Sequence, residues 1–287
     1  MSGAWGLYDR QEHNGRSHSV SFKIAIGSLG TIGYQVASRL EDGIDGLTLV
    51  AVSANNKDVA GNKVSGFKNP PSVVPVEQLA DTADIIVECA PAAIFRDIAE
   101  PVIEAGKKLM PLSVGALLSH WDLVERAKVT GAKILVPSGA LLGFDAVRAA
   151  SEGEFKSVTM VTRKPPAGLA GAPHLHENNI NIENLTEPKL VFEGSARDGA
   201  IGFPANVNVA AALALAGPGP DNTALQIWAD PTVDRNTHTI KVAASSADFE
   251  MKMLSIPTPE KPATGRIVAL SVISSLRAQV APLVIGV

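Results

Sequence analysis

The spacing of apolar residues changes part-way along the chain. From Ser21 to about Pro137 they come as short solid runs separated by stretches with helical spacing, whereas beyond that point they alternate with polar residues. The first run, Phe22-Lys23-Ile24-Ala25-Ile26-Gly27, leads through Ser28-Leu29-Gly30-Thr31-Ile32-Gly33 into the helical stretch 34–40. A second buried strand is expected at 47–52, after a turn built on Gly43 and Gly46, and a Gly/Asn/Pro-rich loop follows it. A short helix near 76–79, a strand at 83–89, a helix at 94–105 capped by Gly106 and a strand at 108–111 come next. A helix over 120–132 and a strand at 133–137 end this half. Solid strands alternating with helices at these lengths predict parallel βαβ units in a doubly wound sheet.

Downstream, period-two runs predict strands at 157–164, 189–193, 224–229, 237–243 and 248–254. One helix interrupts them, from Asn206 or Asn208 to Ala216, and Asp145 starts a short helix reaching Ala150. A final apolar helix spans 265–280, with Thr264 as its N-cap, and packs back onto the first half. The fold class is therefore α/β: an N-terminal Rossmann-type doubly wound parallel sheet and a second α+β domain built on a mostly antiparallel sheet. The expected division is a leader at 1–20, a dinucleotide-binding part at 21–135 joined by 265–287, and a catalytic and dimerisation part at 136–264.

Composition narrows the function by exclusion. The 287 residues are 46% hydrophobic and 19% charged with a net charge of -4, and no Lys/Arg-rich run occurs, which argues against nucleic acid or an anionic membrane surface as partner. No apolar run approaches the roughly 20 residues of a membrane span. One cysteine, Cys89, makes no disulfide framework, and a reducing cytoplasm fits.

The glycine turn is the first piece of chemistry. A strand that hands over to a helix through glycines brings bare backbone and free N–H groups to an anion such as a pyrophosphate. Aligned on Gly30 and Gly33, the place of the first glycine in that fingerprint holds Ser28, with Gly27 one residue early. After the second strand the chain reads Ser53-Ala54-Asn55-Asn56-Lys57 instead of offering a carboxylate to the ribose hydroxyls. Asn55 can bind a hydroxyl without repelling a 2′-phosphate, so NAD and NADP are both admitted.

The polar groups of the second half are Thr162, Arg163, Lys164, Arg197, Asn206, Asn208, Asp230, Asn236 and His238. His238 follows an Asp230-Pro231 turn and shares a strand face with Ile240 and Val242. On periodicity alone, a satisfied core histidine is the commoner reading of such a position. Beside a nucleotide domain, histidine also suits the proton acceptor that an amine or alcohol dehydrogenase needs, its ordinary pKa being about 6.5. Lys164, Arg163 and Arg197 are candidates to bind a carboxylate. His174-Leu175-His176 has metal-binding spacing but no third ligand nearby, and no metal is expected.

Further motifs occur in order: Gly30-Thr31-Ile32-Gly33, Pro137-Ser138-Gly139-Ala140 with Phe144-Asp145-Ala146, Thr162-Arg163-Lys164-Pro165-Pro166, Phe192-Glu193-Gly194-Ser195-Ala196-Arg197, Phe203-Pro204-Ala205-Asn206-Val207-Asn208, and Ala229-Asp230-Pro231 with Asn236-Thr237-His238. From about Phe22 to Pro282 the chain resembles the L-aspartate dehydrogenases. The resemblance implies NAD(P)-dependent oxidative deamination of L-aspartate to iminosuccinate, or its reverse, in a cytoplasmic homodimer. It places the catalytic histidine on His238 and nicotinamide contacts on Ala140 and one asparagine of the Asn206/Asn208 pair, Asn208 being preferred. The remaining cofactor contacts are expected at Gly27, Leu29, Gly30, Thr31, Ile32, Asn55, Ala90 and Pro91, and substrate contacts at Lys164 and Asn206. A segment the family tends to write Asn-Pro-Lys-Thr-Ser reads Lys261-Pro262-Ala263-Thr264-Gly265 here. The alternatives are a dehydrogenase of another small amino or keto carboxylate and a non-catalytic NAD(P)-binding sensor.

Overall fold

The computed structural model describes residues 20–204, 207–260 and 264–286. Asn206, most of the expected leader and residues 261–263 of the departing segment therefore lie outside the described residues.

The first half alternates strand and helix: β1 (Phe22–Ile26), α1 (Thr31–Glu41), β2 (Leu47–Val52), α2 (Lys57–Val64), β3 (Ser72–Val73), α3 (Leu79–Thr82), β4 (Ile85–Glu88), α4 (Phe95–Glu104), β5 (Lys108–Pro111), α5 (Val114–Ser119), α6 (Trp121–Thr130) and β6 (Lys133–Ile134). The strands form one sheet in the order β3-β2-β1-β4-β5-β6, parallel throughout. Parallel strands covered on both faces must be apolar along their length, and β4 is buried at all four residues. The order reverses between β1 and β4, so loops from their C-terminal ends diverge and leave a crevice there.

Two helices of this half appear where no periodicity announces them, as do Pro173–Glu177 and Ala196–Gly202 in the second half, where a single helix was expected among the strands. The loop expected after β2 contains α2, whose N-cap Asn56 accepts from Val59 N at 3.0 Å. The expected single helix at 120–132 is preceded by α5, all but one of whose first five residues are buried. Both bury only a few small or aliphatic residues, too short a stripe to stand out in sequence.

The second half contains α7 (Phe144–Ser151), β7 (Phe155–Lys164), α8 (Pro173–Glu177), β8 (Lys189–Ser195), α9 (Ala196–Gly202), α10 (Asn208–Ala216), β9 (Thr223–Ala229), β10 (Thr237–Ala244), β11 (Asp248–Leu254) and α11 (Ile267–Ala278). Its sheet runs β11-β10-β7-β9-β8. Three pairings are antiparallel and one, β7 with β9, is parallel. Alternation decides its faces: on β7, Val158, Met160, Thr162 and Lys164 turn inward, while Thr159, Val161 and Arg163 remain partly open. The inner face packs against α7 and α10 around Phe203, Leu213 and Ile240.

α11 returns to the first sheet, packing on α1 through Ala269, Val272, Ile273 and Leu276. Its start differs from expectation. Thr264 is not the N-cap; its carbonyl accepts from Thr258 N at 2.8 Å in a small hairpin, and the helix begins after Arg266. The helix is also not buried all round, since Leu270 stays 61% exposed.

Candidate active site

A cavity of about 370 Å³ opens where the crevice of the parallel sheet meets the C-terminal end of β7 and the start of β10. Ile32, Ala90, Ser113, Ala140, Lys164, Asn208, Asn236, His238, Ser255 and Thr264 are among its lining residues. These come from both sheets and from the segment leading to α11. Ile32, Ala90, Ala140, Asn208, Lys164 and His238, nominated separately from sequence, thus share one space. Gly27, Leu29, Gly30, Thr31, Asn55 and Pro91 lie at or just beyond the C-terminal ends of β1, β2 and β4, outside the cavity wall.

The glycine turn is shaped as the fingerprint requires, in spite of Ser28. A Cβ on Gly33 would stand 1.8 Å from Ser28 O, so only glycine lets α1 approach β1 this closely. At Gly30 an added Cβ would meet nothing nearer than Ser28 Oγ at 3.9 Å. The N-cap of the 11-residue α1 carries no side-chain hydrogen bond, so its first-turn N–H groups remain for an anion. These observations fit a dinucleotide. Gly27 and Leu29 support the turn from inside it: Gly27 N donates to Val87 O at 2.8 Å, and the Leu29 side chain is buried in the core.

Two buried clamps set the loops around this turn. Glu88, at the end of β4, accepts from Ala90 N at 2.8 Å and from Ser113 N and Oγ at 3.0 Å each. It thereby ties the loops after β4 and β5 together. Burial pushes its carboxyl up from the usual range against the pull of those hydrogen bonds. On the other side, Ser271 of α11 accepts from Gly139 N at 3.0 Å and pins the turn that carries Ala140. Asn208 Oδ1, at the first turn of α10, accepts from Gly115 N at 2.9 Å. Cys89 also lines the cavity, but burial raises its thiol far above the range of a reactive thiolate.

His238 is 3% exposed and lies opposite Thr162 in the β10–β7 register. Its Nδ1 is 3.1 Å from Thr162 Oγ1, which fixes the ring plane and leaves Nε2 as the other ring nitrogen. Burial first, and the charge of Lys164 second, push its pKa down to about 3. The imidazole is therefore neutral at physiological pH. Lys164 is 6% exposed, and burial lowers its pKa to about 8. Ile240 and Val242, on the same face as His238, belong to the core rather than the cavity.

Other sequence candidates point elsewhere. Arg163 faces the open side of the sheet, 4.6 Å over the Trp228 ring and 3.0 Å from Asp230 Oδ2. Asp230 is buried; although burial opposes ionisation, hydrogen bonds from Thr232 and Arg163 hold its carboxyl below the ordinary range. It shapes the turn before His238, accepting from Thr232 N and Oγ1. Arg197 pairs with Asp221 on the surface. His174 packs edge-on against Phe192, ring centres 5.2 Å apart. Glu88, Ser113, Ser255 and Ser271 were not singled out from sequence as site residues, and Thr162 was named only among the polar groups of the second half, without a role. For Thr162 a signal existed, because it sits two residues from Lys164 on the same strand face.

Residues 145–279 match the family model for the C-terminal part of aspartate dehydrogenase, and residues 29–137 match that for the NAD-binding domain of homoserine dehydrogenase. An L-aspartate dehydrogenase of Bradyrhizobium diazoefficiens is 52% identical over 93% of this chain and 95% of its own length. The chain belongs to the aspartate dehydrogenase family. Another family member, from Methanosarcina barkeri, is 37% identical over 92% of the chain and 99% of its own length. The fold extends to the crystal structure of a Thermotoga maritima aspartate dehydrogenase, at a TM-score of 0.67 and 22% identity, covering 94% of this chain and all of that one. Membership of the aspartate dehydrogenase family agrees with a glycine turn shaped for a dinucleotide beside a cavity lined by Ile32 and the buried His238.

Proposed function

We infer that this chain catalyses the NAD(P)-dependent oxidative deamination of L-aspartate, or the reverse reductive amination. The observation that carries the reading is His238, neutral and oriented by Thr162, in the same cavity as Lys164, Ala140 and Asn208. A bound nicotinamide supplies the acceptor for the hydride that leaves the substrate α-carbon.

The chain's own groups do the rest. The free amides at the start of α1 hold the pyrophosphate, with Gly30 leaving room for it. Asn55, with no carboxylate between Val52 and Lys57, admits NAD or NADP. Ala90, Ala140 and Asn208 border the nicotinamide side. Because Asn208 Oδ1 is committed to Gly115 N, its NH2 is the donor it offers a ligand. Lys164 binds a substrate carboxylate, and this pairing offsets the charge that helps to hold His238 deprotonated. His238 then gains basicity as substrate arrives. It accepts the proton from the substrate ammonium or, as the neutral base, takes one from the water that hydrolyses iminosuccinate to oxaloacetate and ammonia.

The organisation that goes with this chemistry is a cofactor part at 21–135 joined by 265–287 and a catalytic part at 136–264, in a cytoplasmic homodimer. Val161, Trp228 and the 37% exposed Leu190 lie on the open face of the second sheet, an apolar surface of the sort that a second copy covers. Light scattering that gave a monomer mass would remove the dimer from this reading.

The decisive assay follows absorbance of the reduced nicotinamide with L-aspartate, other amino acids, hydroxy acids and keto acids, using both cofactors. Wild-type protein is expected to favour L-aspartate. His238→Ala is expected to lose turnover and retain cofactor binding. Undiminished turnover in His238→Ala would remove the histidine from the mechanism, and an absence of turnover with every substrate would leave a cofactor-binding sensor.

A further inference from the structure

Ser255 is 5% exposed, lines the cavity, and carries a buried hydroxyl with no hydrogen-bond partner among the described residues. A buried polar group without a partner is unfavourable, and where one borders a ligand cavity the ligand is its natural partner. The surrounding geometry indicates which part of a ligand that is.

β10 lies between β7 and β11 in the sheet. On one side His238 pairs with Thr162, so Asn236 lies level with Lys164 when that register is continued by two residues. On the other side Thr237 pairs with Leu254, so Asn236 also lies level with Ser255, and Ser255 N donates to Asn236 O at 3.0 Å. Lys164, Asn236 and Ser255 therefore form one cross-strand row on the cavity face, with His238 one pleat further along the central strand. The outer two are separated by two strand spacings, about 10 Å between backbones. A four-carbon dicarboxylate lying along this row reaches a donor at each end and brings its middle carbons over Asn236, with His238 one pleat away on the same cavity face. The Ser255 end is kept tight by Gly265, where an added Cβ would lie 3.3 Å from Ser255 Cβ.

We propose that the Ser255 hydroxyl donates a hydrogen bond to the substrate carboxylate opposite the one held by Lys164, so that the pair measures a dicarboxylate. This deepens the L-aspartate reading and rests on it. The specificity element is an uncharged donor at one end and a buried cation at the other.

The test compares wild-type protein with Ser255→Ala. Loss of a hydrogen bond to a charged group predicts a rise in KM for L-aspartate of about 10- to 100-fold, with a smaller change in kcat. Activity towards a monocarboxylate amino acid such as L-alanine is expected to stay as it is, so discrimination between the two collapses. Affinity for the reduced cofactor is expected to be unchanged, and the melting temperature of the ligand-free protein to hold or rise, because an orphaned hydroxyl is removed. Succinate affinity measured by calorimetry reads the same contact without turnover and is expected to fall by a similar factor. An unchanged KM and succinate affinity, or an equal loss with L-alanine, would overturn the proposal. Wild-type protein that does not oxidise L-aspartate but binds succinate through Ser255 would overturn the functional reading while leaving the dicarboxylate site in place.

Discussion

Acid stability offers a direct measure of how His238 is held. Its pKa falls from an ordinary 6.5 to about 3 in the folded chain, chiefly through burial and secondarily through Lys164. The folded-state value lies below the unfolded one, so below pH 6.5 the unfolded chain binds a proton that the folded chain refuses. The stability associated with this group is present above 6.5 and drains away as pH falls from 6.5 towards 3. The limiting slope is about 1.4 kcal/mol per pH unit, and the loss between pH 7 and pH 5 amounts to about 2 kcal/mol. At 3% exposure little solvent screening reduces that figure. Urea unfolding of the ligand-free protein at pH 7, 6 and 5 measures it against His238→Asn, which keeps a polar side chain but cannot titrate in this range. Other groups contribute equally to both proteins, so the difference in slope isolates the histidine. Wild-type protein is expected to lose about 2 kcal/mol more than the variant. Parallel pH profiles would refute the reasoning, because they would mean that the folded histidine titrates near its ordinary value.

Lys164 gives a second pH signature. Burial lowers its pKa to about 8, so its charge disappears as pH rises through that value, and kcat/KM for L-aspartate is expected to fall above pH 8. Lys164→Met is expected to lower kcat/KM by about 10- to 100-fold and to abolish that alkaline limb, measured by initial rates from pH 7 to 10. The glycine turn predicts a contrast between two substitutions. Gly33→Ala places a Cβ 1.8 Å from Ser28 O and is expected to lower the melting temperature markedly, whereas Gly30→Ala finds open space and is expected to weaken NAD(P) binding with little thermal effect. Thermal unfolding and cofactor titration of both variants check this.

Much of the architecture is written in local pattern. The solid runs at 47–52 and 108–111 match β2 and β5, and the alternation at 248–254 matches β11, because side-chain period and burial are tied together by strand geometry. The glycine turn and the motif order around His238 were equally legible and led to the correct family. What failed locally was signal strength: α2 buries little more than Ala60 and Val64, and Thr264 looked like a cap although its backbone is engaged in a hairpin.

The chain order of the elements, the inward face of His238 and the opposite faces of Arg163 and Lys164 follow from sequence alone, since each depends on a period of two or 3.6 residues. Tertiary structure decided which inward residues meet. Thr162 reaches His238 across 76 residues and Ser271 reaches Gly139 across 132, and the Lys164–Asn236–Ser255 row exists only because β10 lies between β7 and β11. Strand order and register bring distant segments together, and no local periodicity encodes them. For that reason the sequence could nominate the histidine, while only the fold could supply its orienting threonine and the nearby serine that has no hydrogen-bond partner among the described residues.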